Sequence, residues 1–157
     1  MLDQLCFNKA LLEGIQVVFE TMMFMDLQEC DGDAEIQGDS LLSTITFKGD
    51  MEGCLAISCS MSCAKTIALN MLAMEPTDEL SETEVTDAMG EVANMVMGSV
   101  KSRIQDEVGN IEVSIPSVVS GRMLESSLGD GATKSSIKFN IEDEYIIEFS
   151  LLYKLGA

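Results

Sequence analysis

An acid and an amide three residues apart, Glu91 and Asn94, lie in the stretch DAMGEVANMVMGSVK (residues 87–101). Asp87 precedes them by one turn, Lys101 follows by two, and Gly90 and Gly98 stand on either side. Spacings of three and four put Glu84, Asp87, Glu91, Asn94, Gly98 and Lys101 on one face of a helix. Val85, Ala88, Met89, Val92, Met95, Val96 and Val100 take the opposite, core-facing stripe. The acid and the amide are therefore neighbours on an exposed surface. A carboxylate there offers acceptors, and a side-chain amide offers both donor and acceptor. Such a pair positions reactants; it supplies neither nucleophile nor strong base. Each glycine costs about 1 kcal/mol of helix propensity relative to alanine, which is explained if something approaches the helix closely there.

Spacing alone is weak, because the chain has 16 Glu and 5 Asn, and an ordinary solvated face would also fit. A second E-x-x-N, Glu107/Asn110, straddles Gly109 and loses the helical geometry. The elements around the first copy are better defined. Ser81 and Glu84 form a capping box, Leu80 and Val85 a hydrophobic staple, and the periodic pattern runs to about Val108, where Gly109 offers a left-handed stop. Upstream, Leu11, Ile15, Val18 and Met22 predict a first helix over about residues 5–24. A short strand is expected around Ala34–Gln37. LLSTITFK and GCLAISCS, separated by GDME, predict a hairpin. MSCAKTIALNMLAM is helical and stopped by Pro76. Downstream, IEVSIPSVVSG reads as a strand broken at Pro116, and RMLESSLGDGATK as a loop. SSIKFNIED and EYIIEFSLLYKL form a closing hairpin with Tyr145, Ile147, Phe149, Leu151 and Tyr153 on one face. The expected class is α+β, with long helices over a largely antiparallel sheet. Helix-then-strands occurs on both sides of residue 76, which points to an internal duplication.

At 157 residues the chain is expected to form one domain. Its hydrophobic fraction of 46% and mean hydropathy of +0.20 exclude a disordered polypeptide. No apolar run reaches the roughly 18 residues of a membrane span, and no leader pattern opens the sequence, so the expected location is cytoplasmic. The net charge is −18, from 9 basic and 27 acidic residues, which argues against nucleic acid and anionic membranes as partners. The five cysteines, Cys6, Cys30, Cys54, Cys59 and Cys63, contain no C-x-x-C pair. There is no histidine, which excludes Ser-His-Asp and Cys-His nucleophile systems and leaves any zinc site short of ligands. Reduced thiols and no bound metal are expected, with a metal or redox sensor on Cys54, Cys59 and Cys63 as a competing reading.

Asp87-x-x-x-Glu91-x-x-Asn94 resembles the active-site helix of the CheX/CheC/FliY phosphatases of bacterial chemotaxis. SIPSVVSG (Ser114–Gly121) is similar to the segment that follows this helix in CheX-type members, and GIQVVFETM (Gly14–Met22) to their first helix. The order of elements matches over nearly the whole chain. The resemblance implies an internally duplicated fold and hydrolysis of the aspartyl phosphate of a CheY-type response regulator. It implies Glu91 as the anchor to the regulator's lysine and Asn94 as the residue that orients water. Asp87, Gly90, Gly98 and Lys101 are then partner-binding positions. The divalent cation, magnesium, would come with the regulator, and the chain itself would bind none. Pairing of subunits through sheet edges is also implied, hence a homodimer. Laying the first helix on the later one by apolar matches such as Val17 with Val92 sets Gln16 opposite Glu91 and Phe19 opposite Asn94, so a first site is expected to be absent. The alternative is a catalytically silent module of the same fold, docking in chemotaxis or flagellar-switch signalling.

Overall fold

The protein is described from a computed structural model, over residues 4–30, 36, 38–75, 77–121, 132–142 and 144–155. Helix α1 (Gln4–Val18) runs into a single π-helical turn (Phe19–Met23). Strands β1 (Leu27–Glu29), β2 (Ser40–Gly49) and β3 (Met51–Ser60) follow, then helices α2 (Met61–Met71) and α3 (Glu82–Val108). Strands β4 (Ile111–Val113), β5 (Ser117–Gly121), β6 (Thr133–Ile141) and β7 (Tyr145–Leu155) complete the order. The fold is the expected α+β arrangement, helices on an antiparallel sheet.

The sheet order is β1-β6-β7-β3-β2-β4, with β5 pairing on β2 beyond β4, and every pairing is antiparallel. Exchanging β1 with β4, β2 with β6 and β3 with β7 reverses this order and leaves it unchanged. The duplication suggested by the sequence is thus written in the strand order. Its centre is the β3–β7 seam, where Leu55 faces Leu151 and Ile57 faces Phe149.

Alternation along the strands sends one set of side chains to the helices. Leu41, Ile45, Phe47, Leu55, Ile57, Cys59, Phe139, Ile141, Ile147, Phe149, Leu151 and Tyr153 all enter the core, while Tyr145 packs at its margin. Aromatic contacts dock α1 onto this face. Phe7 stacks on Tyr153 at 4.1 Å, and Phe19 meets Phe149 edge-on at 5.8 Å. Helix α1 also lies against α3, where a Cβ on Gly14 would come 3.0 Å from a Val100 methyl. Gly14 is what lets the two backbones approach.

Three boundaries differ from the sequence reading. The first helix does not stay regular to residue 24. The π turn inserts an extra residue, so Met23 is buried and Met22 is half exposed. Phe24 then ends the helix in a left-handed conformation. Helix α2 closes at Leu72, with Ala73 at positive φ, well before Pro76, which lies outside the described residues. The loop after Gly121 ends earlier than expected, since Thr133 and Lys134 already belong to β6. The strand expected at 34–37 falls largely outside the described residues, as do residues 122–131.

Gly53 is fixed by packing rather than by conformation. A Cβ there would overlap both the Phe47 ring, which lies across it from β2, and the carbonyl oxygen of Leu152 on β7. Because one obstacle is backbone, rotation of Phe47 cannot relieve the overlap. Gly53→Ala is expected to lower unfolding free energy by about 1–3 kcal/mol, the range for overpacking a tight core. Denaturant unfolding of the variant beside the parent measures it.

Candidate functional site

Helix α3 starts where the sequence places it. The Ser81 hydroxyl accepts from the Glu84 N–H at 3.1 Å, and the Glu84 carboxylate accepts from the Ser81 N–H at 3.2 Å. Leu80 and Val85 both pack at the core, as the staple requires. At the other end the Gly109 N–H bonds the Gln105 carbonyl at 2.9 Å, and Gly109 has φ 87° with ψ −155°. This is not the ordinary left-handed cap. The φ of 87° is what favours glycine here, and the flexible Asp50 carboxylate lies against its open side.

Between these ends α3 is buried over most of its circumference. Val85, Ala88, Met89, Gly90, Val92, Ala93, Val96, Met97, Val100 and Ile104 are all buried. The sheet lies beneath, α1 and α2 pack alongside, and the segment entering β5 closes in at Gly90. Between residues 84 and 100 what remains is a narrow ridge, Glu84, Asp87, Glu91, Asn94 and Gly98; the last turns open more widely, exposing Ser102, Gln105, Asp106 and Glu107. Asp87, Glu91 and Asn94 make no hydrogen bond or ion pair with other described residues. An acid and an amide one turn apart, both unengaged, present a fixed negative charge beside a donor–acceptor pair. The ridge stands out from the surface and has no reactive group of its own. Among the described residues, no three His, Cys, Asp or Glu side chains come together in a way that could hold a metal ion.

The other expected positions separate. Lys101 is half-buried at the end of the stripe. Gly98 is exposed, and a Cβ there would meet nothing within 4 Å. Gly90 is buried, and its neighbours are Pro116, whose ring would lie 3.5 Å from a Cβ, and Val118 at 3.8 Å. The close approach expected at Gly90 is therefore made by the chain itself, and not by a surface left open to a partner.

The proposed match of α1 to α3 also changes. Phe19 is buried and Val17 is 42% exposed, so they cannot correspond to exposed Asn94 and buried Val92. One constant offset instead lays Phe7, Ala10, Leu11, Gly14, Ile15, Val18 and Phe19, all buried, on Val85, Ala88, Met89, Val92, Ala93, Val96 and Met97. Glu13 then falls opposite Glu91, and Gln16 opposite Asn94. The two acids differ in their surroundings. Glu13 lies 3.5 Å from the Arg103 guanidinium of α3 and 3.9 Å from Lys9, whereas Glu91 has no such cation among the described residues. Matching Val17 with Val92 misleads because Val17 is an exposed apolar residue, whereas burial alone distinguishes the two registers.

The cysteines lie apart from the ridge. No disulfide links them, and Cys54, Cys59 and Cys63 are buried. A hydrogen bond with the Cys63 thiol, and then burial, push the Cys59 thiol well above its usual range. A group raised on folding contributes stability below its unfolded pKa and loses it as pH rises through the folded value. The contribution of Cys59 is thus complete at neutral pH and disappears only in strong alkali.

Against this geometry, comparison with known proteins gives consistent matches. The family model described as "Chemotaxis phosphatase CheX" matches residues 41–140. The CheY-P phosphatase CheX of Thermotoga maritima is 27% identical over 112 residues, which are 71% of this chain and 72% of that protein. The crystal structure of chemotaxis protein CheX from Vibrio vulnificus superposes with a TM-score of 0.76 at 27% identity, covering 94% of this chain and 96% of that one. A CheX from Borrelia burgdorferi, solved in complex with CheY, BeF3 and Mg, has the same fold at 19% identity, with a TM-score of 0.76, covering 94% and 97%.

Two results test the ridge and its surroundings. Gly90→Ala and Gly98→Ala are each expected to raise stability by about 0.5–1 kcal/mol, since both sites accept a Cβ in ordinary contact or open space. A thermal-unfolding comparison reads this out. Thiol titration of the native protein is expected to modify Cys6 and Cys30, and to reach Cys54, Cys59 and Cys63 only after unfolding.

Proposed function

The chain belongs to the CheX chemotaxis phosphatase family, and on that premise we propose that it hydrolyses the aspartyl phosphate of a CheY-type response regulator by pressing the α3 ridge into the regulator's phosphorylation site. The observation that carries this reading is the outward, unengaged Glu91/Asn94 pair, set between buried neighbours in the middle of α3.

An acyl phosphate is a reactive bond, and in this scheme the regulator brings it together with its divalent cation, magnesium, and an active-site lysine. What the phosphatase adds is position. Asn94 holds a water in line with the aspartyl oxygen, one end of its amide on the water and the other toward the phosphoryl group. The water oxygen forms a bond to phosphorus while the bond to the aspartyl oxygen breaks. The products are the free aspartate carboxylate and inorganic phosphate, which takes up the proton released by the water. Glu91 pairs with the regulator's lysine and fixes the helix in the site. Asp87 extends this contact along the ridge, and Lys101 meets acidic groups at its far edge. Gly98 leaves room for a loop of the partner; within its own fold the chain has no use for a glycine there. Gly90 is covered by Pro116 and takes no direct part in the contact. Orientation of this kind is worth roughly 10²–10³ in rate, or about 3–4 kcal/mol. We further propose that the protein works in the cytoplasm as a homodimer joined through sheet edges.

The expected result is phosphate release from a phosphorylated receiver domain, accelerated by the wild-type protein and reduced about 100-fold by Asn94→Ala with receiver binding retained. Glu91→Ala is expected to weaken binding about tenfold. Stopped-flow or colorimetric phosphate assays against a panel of receivers measure both. A wild-type protein that binds a receiver without accelerating release would instead establish the silent-module reading.

A further inference from the structure

Between β4 and β5 the chain leaves strand geometry for three residues, and the middle one, Ile115, is 87% exposed. The segment around it is held at both ends. Ser114 donates its N–H to the Thr46 carbonyl at 2.8 Å, and its hydroxyl oxygen accepts from the Thr46 N–H at 3.0 Å and the Thr46 hydroxyl at 2.9 Å. On the other side, Pro116 rests on α3 at Gly90, the residue before Glu91. Ile115 is thus an isoleucine presented to solvent on a pinned backbone beside the acid–amide ridge, and its burial would order little that is not already ordered.

We infer that Ile115 is the apolar anchor by which this protein holds the receiver domain whose phosphoryl group reaches Asn94; this rests on the function proposed above. The occupant follows from position and charge. A specific interface covers on the order of 800 Å² of each partner, so a protein engaging Glu91 and Asn94 cannot leave the segment touching Gly90 in water. Glu84, Asp87 and Glu91 give the ridge a negative face, and none of them pairs with a cation among the described residues, which suits a partner presenting an ammonium group at its phosphorylation site. Ile115 supplies what that polar ridge lacks, an apolar contact that adds affinity without entering the chemistry.

The test is made on the full chain with Ile115→Ser and Ile115→Leu, against the receiver panel. The expected outcome for Ile115→Ser is a rise of about 10- to 100-fold in KM, the range for burying one isoleucine, with kcat unchanged at saturation. Dissociation of the beryllofluoride-activated receiver should quicken in proportion, the thermal midpoint should not move, and Ile115→Leu should restore binding. A KM within twofold of wild type, or a loss confined to kcat, overturns the anchor. Wild-type protein run alongside separates the two failures: if it accelerates no receiver, the proposed function falls and the anchor with it, whereas an active wild type with an equally active Ile115→Ser removes the anchor alone.

Discussion

The confinement of α3 is the constraint on which this structure turns. A 27-residue helix in a small protein usually shows a broad polar face to water. Here, from Val85 to Val100, the sheet, two helices and the entry to β5 take most of its circumference. Exposure is reduced to a ridge, and its residues owe their direction to packing on the other sides. Neither Glu91 nor Asn94 is held by a hydrogen bond of its own among the described residues. Their orientation is inherited from buried Val92, Ala93 and Val96, which cannot turn without unpacking the core. A positioning catalyst needs this property, because a water placed by a swivelling helix gains nothing.

The two halves of the fold have been built alike and used differently. Strand order is symmetric about the β3–β7 seam, and the burial pattern of α1 repeats in α3. Yet the acid on α1 is drawn onto Arg103, while the acid on α3 faces water. The two helices differ in the cations beside Glu13, Arg103 and Lys9, and in the amide, Gln16 against Asn94.

Much of this was legible in the sequence because it is local. The capping box at Ser81, the interruption at Pro116, the closing hairpin and the stripe of exposed residues on α3 each depend on neighbours within a few positions. What escaped depends on the third dimension. The π turn has no composition of its own, so Met22 was taken for a core residue in place of Met23. Helix α2 ends at an alanine with positive φ, which no residue preference announces. Gly90 and Gly98 look the same in the chain and differ only through Pro116, which folds back onto one of them. Spacing could place Glu91 beside Asn94, but it could not say that Glu13 meets Arg103.

The central seam has a consequence for how the molecule is made. β3 and β7 are far apart in the chain, and they pair over nine residues, from Met51–Leu155 to Cys59–Ile147. During synthesis the β2–β3 hairpin emerges with one long edge unpaired, and α1 waits for Phe149 and Tyr153, which come last. Until β7 pairs, that edge of β3 is open and apolar, a feature that favours aggregation. The chain's net charge of −18 opposes association through such edges by mutual repulsion.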